Sequence, residues 1–324
     1  MNDSSDSAMN VISVLPKDAI PSIDDPTFGD EYFGGPDDEV LIVDPGDEAS
    51  PARAYPIRIL NYHEIVNDTV PVADGDADSI AVTWCPICGS AVVYEAIVDD
   101  RRLTFGVSGK LADDDLVLYD HETDSEWKQS TGECIAGEFA GERLRVRPGP
   151  MTTYRAFREA YPDGIVLQPA SEGSAAVSGY DPSGYEAYEE REAFGLRGMR
   201  GEGPEREWHR DDLDPKTVVL GVTPTDGGAL GFPLPVVEAA GGVVEATVGD
   251  TDVVVLATDD GLHAFEQPEF ELRIESGLVS GDGATWTLTT GESNDGRQLR
   301  RVESRRLYAF AWQDDHGRRS FYSL

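Results

Sequence analysis

From Val218 onward the chain passes the same landmarks, in the same order, as it does from Val40. Gly231-Phe-Pro233 stands where Ala54-Tyr-Pro56 stood. Gly242-Val-Val-Glu245 stands where His63-Glu-Ile-Val66 stood, and Val253-Val-Val-Leu-Ala-Thr258 replaces Ile80-Ala-Val-Thr-Trp84. Trp286 to Glu292 echoes Trp127 to Glu133, both ending Thr-Gly-Glu, and Gly296-Arg-Gln-Leu299 echoes Gly141-Glu-Arg-Leu144. The run from Leu307 to Trp312 echoes the aromatic run at Tyr154. Each match is short, but their collinearity predicts two degenerate tandem copies of one module.

The repeated segments are β-branched and aromatic between turn residues, the pattern of antiparallel strands. The first copy predicts strands over residues 40–43, 54–60, 80–84, 91–98, 102–108 and 116–120, with Asp99-Asp100 as a hairpin turn. One helix is predicted from an N-cap at Thr152-Thr153, with Tyr154, Phe157 and Tyr161 at helical spacing and a stop at Pro162 and Gly164. The expected fold is mostly β (α+β), two tandem antiparallel β modules with a few short helices. Residues 1–35 read as a flexible acidic lead-in, 36–169 as the first module with the Cys/His site, 170–212 as a linker and 213–324 as the second, degenerate module. Tyr180, Tyr185 and Tyr188 are expected to pin the linker to the surface of the fold.

The chain carries 62 acidic and 26 basic residues, a net charge of −36, and its only lysines are Lys17, Lys110, Lys128 and Lys216. Such a charge opposes compaction in dilute salt. At molar salt the screening length falls to about 3 Å and the repulsion largely disappears. The composition therefore predicts a halophilic protein, and the acidity speaks of solvent rather than of a basic partner. Nucleic acid is not expected as a partner, because phosphate contacts need clustered Lys and Arg. The same lack makes an anionic membrane an unexpected partner, and no apolar run reaches about 18 residues, so no transmembrane helix is expected. The polar N-terminal stretch reads as lacking an export signal, which predicts a cytoplasmic location.

Cys85 and Cys88, in Trp84-Cys-Pro-Ile-Cys-Gly-Ser90, form the sharpest motif. Two thiols at this spacing can share one metal ion: the proline fixes φ, and the glycine lets backbone amides approach sulfur. A closed four-ligand site needs further donors. His63, in Tyr62-His-Glu-Ile-Val-Asn-Asp68, is the candidate third ligand, and Cys134 offers another thiolate or a small buried side chain. Thiolate and imidazole suit zinc, copper or iron alike. The alternative is a thiol-disulfide oxidoreductase, with Cys85 as nucleophile and Cys88 as resolving thiol. The residues after Cys88 read as a strand, however, so the helix dipole that lowers a thiol pKa is missing. Inert cysteines are the third reading. The second copy has no Cys. His121, His209 and His316 lie in acidic stretches and read as solvated, and His263 falls in the Cys-free copy.

The segment from Leu118 to Gln129 alternates. Glu122, Asp124, Glu126 and Lys128 share one face, expected to be solvent, and Thr123, Ser125, Trp127 and Gln129 share the other. Hydrogen-bonding side chains on a core-facing side predict the wall of a polar pocket for a small-molecule ligand, with Asp120 and Ser108 nearby. A non-catalytic binding module is accordingly a further alternative.

Arg53-Ala-Tyr-Pro56, His63-Glu-Ile-Val-Asn-Asp68, Thr83-Trp-Cys-Pro-Ile-Cys-Gly-Ser-Ala91, Phe105-Gly-Val-Ser-Gly109 and Leu118-Tyr-Asp120, with Thr123, Ser125, Trp127, Gln129, Gly132 and Gly137, resemble domain of unknown function family 3179. The resemblance runs motif by motif over about residues 40–170 and continues collinearly through the second half. It implies that the family's recurrent polar positions fall on His63, Cys85, Cys88, Asp120, Thr123, Ser125, Trp127 and Gln129. It implies no activity. The family often has Ala near Cys134 and usually Arg at His121, which weakens both as essential residues. Many relatives are exported, a context that differs from the one expected here.

Overall fold

A computed structural model describes residues 9–46, 50–71, 77–170, 180–181, 183–225 and 227–324. The chain is mostly β, in several antiparallel sheets with short helices between them. In the first half, strands Glu39–Val43 and Arg53–Pro56 pair with Val40 opposite Pro56. Helix Ile57–His63 follows, then a meander of Ile65–Pro71, Ala77–Cys85 and Ser90–Glu95. A second sheet runs through Phe105–Ala112, Asp115–Asp120, Glu126–Lys128 and Cys134–Ala136. Strand Met151–Thr153 then returns to pair with Glu39–Val43 and leads into helix Tyr154–Ala160.

The second half presents a similar order of elements, without counterparts of the short strands Ile97–Val98, Arg101–Arg102, Val146–Arg147 and Ile165–Leu167. Strands Val218–Val222 and Leu230–Pro233 pair with Val219 opposite Pro233, and helix Leu234–Ala239 follows. The meander is Val243–Val248, Thr251–Thr258 and Gly261–Glu266. A four-stranded sheet comes next, and strand Ser304–Tyr308 returns to Val218–Val222 and feeds helix Ala309–His316.

The halves are not side by side as separate bodies. Ser304–Tyr308 also pairs with Ser90–Glu95 through Arg306 and Ala91, so one seven-stranded sheet runs from the second half into the first. The core crosses with it: Cys85, Cys88 and Tyr94 pack in one apolar cluster with Leu307, Phe310 and Trp312. No helix among the described residues is long and apolar enough to cross a membrane.

Local expectations meet this fold unevenly. Asp99 and Asp100 take φ of 48° and 62° in a two-residue turn, the left-handed pair that a tight hairpin demands. Thr153 caps the Tyr154 helix by accepting the Ala156 N–H at 3.2 Å. The strand expected over 54–60 ends at Pro56, and Ile57–His63 is helical. Proline at the N-cap removes the ladder donor and suits a helix start, which an apolar run does not reveal. In the lead-in, Val11–Ser13 adds an edge strand to Phe105–Ala112, and Ile23 is buried beside Val66. In the linker, residues 171–179 and 182 lie outside the described residues, while Tyr180 and Tyr188 are buried in the core rather than resting on the surface.

Candidate metal centre

Strand Ala77–Cys85 is buried over its last six residues, apolar but for Thr83, so its terminal Cys85 is delivered into the core. The turn that follows closes with Cys85 opposite Ser90. Gly89 has φ +57°, and a Cβ there would stand 2.8 Å from the Tyr308 ring. The Tyr308 N–H donates to the Cys88 carbonyl at 2.7 Å. The second half of the chain thus clamps the cysteine turn, and both thiols are buried.

A third donor arrives from another strand. Asp113 and Asp114 form a tight turn at φ 53° and 68°, and Asp115 begins the next strand. The two Sγ atoms and a carboxylate oxygen of Asp115 all lie within 4.8 Å of one another. Asp115 is 2% exposed. Its Oδ2 accepts the Ser130 N–H at 2.8 Å, whereas its Oδ1 has no partner. Ser90 Oγ, Gln129 Oε1 and Ser130 Oγ are likewise buried without partners. Buried polar atoms are normally paired, so this concentration beside a dithiol is what a site for an ion or ordered water would leave.

The electrostatics follow from burial. Desolvation pushes the Cys85 thiol up, partly opposed by its hydrogen bond with Cys88, and pushes Cys88 up further. Desolvation carries Asp115 up to about 6, against the pull of the Lys128 ammonium. Lys128 pairs with Asp315 at 2.5 Å, their side chains 5% and 1% exposed. Burial disfavours the Lys128 charge, but Asp315 and Asp115 outweigh it and hold the ammonium above its usual range. The centre is therefore a buried, mostly neutral dithiol next to a carboxylate, with a buried ion pair at its edge.

His63 does not belong to this group. Its Nδ1 faces the Pro21 carbonyl at 2.8 Å and its Nε2 the Tyr180 hydroxyl at 2.8 Å, so both nitrogens are already engaged. The imidazole holds the lead-in and the linker to the end of helix Ile57–His63. Cys134 lies opposite Trp127, and its thiol donates to the Ala136 carbonyl at 3.2 Å, apart from the dithiol group.

The polar face expected to line a pocket bonds to itself. Asp120 Oδ1 accepts the Thr123 N–H at 2.6 Å and its hydroxyl at 2.7 Å, and Oδ2 accepts the Trp127 indole N–H at 2.9 Å. The Thr123 and Ser125 hydroxyls share a 2.6 Å hydrogen bond. Ser108 donates to the Val117 carbonyl. Asp120, Ser125 and Trp127 are fully buried, and this set braces the turn between two strands. Gln129 differs from the rest. Its amide donates to Thr83 Oγ1 and the Ser90 carbonyl, which places it against the cysteine turn. Lys128, assigned to solvent by alternation, is buried because Asp315 from the C-terminal helix supplies its counter-charge. His316, expected to be solvated, is half-buried against Trp312, with ring centroids 4.0 Å apart. His121 and His209 are exposed.

Asp115, Ser130 and Asp315 escaped the sequence reading. Asp115 stands in an Asp-Asp-Asp run that looks like any acidic surface turn. Only its register, with Ala112 opposite Asp115, turns the third of the three inward.

No curated protein and no solved structure matches the chain. The family model described as "Protein of unknown function (DUF3179)" matches residues 17–319, nearly the whole length and both halves, and the chain belongs to that family.

Proposed function

We propose that Cys85, Cys88 and Asp115 bind one transition-metal ion, and that the protein is a metal-handling or metal-dependent protein. The observation that carries this reading is the unpartnered Asp115 Oδ1 in a buried group with two thiols. Two thiolates and a carboxylate suit zinc or iron, and the thiolates also suit copper. Three protein ligands leave a fourth position for water or a substrate atom. The unpartnered Ser90, Gln129 and Ser130 oxygens supply hydrogen-bond acceptors for such a group.

The reduced dithiol explains less. It accounts for the nearness of the sulfurs but not for the orphaned carboxylate. Burial raises both thiols, and the turn leads into strand Ser90–Glu95 rather than a helix, so no helix dipole joins the Cys88 hydrogen bond in offsetting desolvation of an attacking thiolate.

The −36 charge supports a protein adapted to molar salt, and the matching order of elements in the two halves supports an ancestral duplication. Elemental analysis of protein purified in high salt tests the metal reading. About one equivalent of metal is expected, lost in Cys85→Ser. A metal-free protein that forms a reversible Cys85–Cys88 disulfide overturns it in favour of dithiol chemistry.

A further inference from the structure

The hairpin turn that joins Thr251–Thr258 to Gly261–Glu266 holds, in the second half, the place the cysteine turn holds in the first. Thr258 pairs with Gly261, leaving only Asp259 and Asp260 between them, whereas Cys85 pairs with Ser90 across the longer turn of residues 86–89. The cysteine turn reaches Tyr308 and packs beneath it. Beside the shorter turn, between it and strand Met151–Thr153, lies a cavity of about 280 Å³. Its walls come from both halves of the chain.

The polar groups on those walls are out of balance. His263 is 1% exposed, and neither ring nitrogen has a partner. Desolvation, helped by the nearby Arg301 charge, takes its pKa down to about 3, so the ring is neutral. Thr152 is buried with its hydroxyl unpartnered. Arg301 gives one guanidinium nitrogen to the Leu288 and Thr289 carbonyls and stacks over Phe265. No carboxylate lies within ion-pair distance of it among the described residues, although the chain has 62 acidic residues to draw on. The acidic groups at the cavity are spent or outward. Glu39 pairs with Arg306 at 3.1 Å, Asp260 accepts the Thr153 hydroxyl at 3.2 Å, and Glu238 and Asp259 are exposed at the rim. Leu220, Leu234 and Leu262 supply an apolar stretch of wall, and the buried Arg305, whose Nε also has no partner, adds a second cationic group.

A half-buried guanidinium that feels Asp44 only at longer range, with no carboxylate in direct contact, a neutral imidazole and a free hydroxyl around one partly apolar cavity define a ligand by complementarity. We infer that this cavity binds a small amphipathic carboxylate, its anionic group against Arg301, Thr152 and His263 and its hydrocarbon against the leucines. The carboxylate accepts from the guanidinium, the hydroxyl and the imidazole N–H, and so satisfies the groups that folding leaves open. The site stands apart from the dithiol centre and does not rest on the metal reading.

Hexanoate is the probe, with 1-hexanol as its uncharged match, on the full-length protein at constant ionic strength in chloride. Calorimetric titration and thermal unfolding are expected to show saturable binding and stabilisation by hexanoate, with half-saturation below about 10 mM for a ligand of this size. 1-Hexanol is expected to bind at least about tenfold more weakly, a difference of about 1.4 kcal/mol for the lost charge-assisted bonds. Arg301→Gln is expected to lose at least about tenfold in hexanoate affinity. Thr152→Val removes a hydroxyl that has no bond to lose, so it folds normally and weakens only hexanoate binding. Absence of saturable hexanoate binding, equal binding of the alcohol, or undiminished binding in Thr152→Val overturns the inference.

Discussion

Replacing Asp115 with asparagine separates the cost of the dithiol centre from its use. In the metal-free protein the buried carboxyl ionises only at about pH 6, against an ordinary value of 3.8. A carboxyl raised in the folded state opposes folding wherever it is ionised. The penalty is absent below the unfolded value, grows as pH rises through the window between 3.8 and about 6, and is constant above it. Two units and a fraction at about 1.4 kcal/mol each give roughly 3 kcal/mol at pH 7. Asparagine keeps an oxygen for the Ser130 N–H and removes the charge, while Lys128 retains Asp315. Asp115→Asn is therefore expected to stabilise the chelated protein by about 3 kcal/mol at pH 7, by about half that at pH 5, and by nothing attributable to charge below the unfolded pKa. The assay is urea unfolding at fixed high salt across that pH range, with metal binding measured in parallel. The same substitution is expected to abolish tight metal binding. A stability change that does not vary with pH refutes the electrostatic reasoning, and undiminished metal binding refutes the ligand assignment.

Three further outcomes follow from the same geometry. Metal affinity is expected to rise steeply with pH through neutrality, because burial keeps both thiols protonated and binding must expel their protons; a pH-independent affinity in competition titrations with a chromogenic chelator counts against thiolate ligation. Lys128→Met is expected to cost about 3–5 kcal/mol by stranding Asp315, and the double change with Asp315→Leu to recover most of it, as a double-mutant cycle of unfolding free energies can show. Trp127→Phe is expected to cost about 1–3 kcal/mol, since Asp120 Oδ2 loses its donor in a fully buried setting; denaturation without a shift shows that the network is dispensable.

How far the site could be read in advance depended on the range of the interaction involved. Cys85 and Cys88 are neighbours in sequence, so their spacing alone brings their thiols together. His63 looked equivalent as a third donor because a lone imidazole after an apolar run carries no mark of its destination. Pro21 and Tyr180, distant in the chain, claim both of its nitrogens. Alternation placed Lys128 in solvent because the period of a strand says which residues share a face, not what covers that face. The covering helix carries Asp315, far along the chain.

The sequence by itself determined the β-rich class, the Thr153 cap, the Asp99-Asp100 turn and the cysteine pair, all of which rest on local propensity or spacing. The tertiary structure decided that Asp115 joins the thiols, that the polar face around Asp120 closes on itself, and that the second half clamps the first across a shared sheet. Those outcomes depend on strand register and on which buried group finds a partner, and such pairings arise between segments whose separation along the chain leaves no local trace.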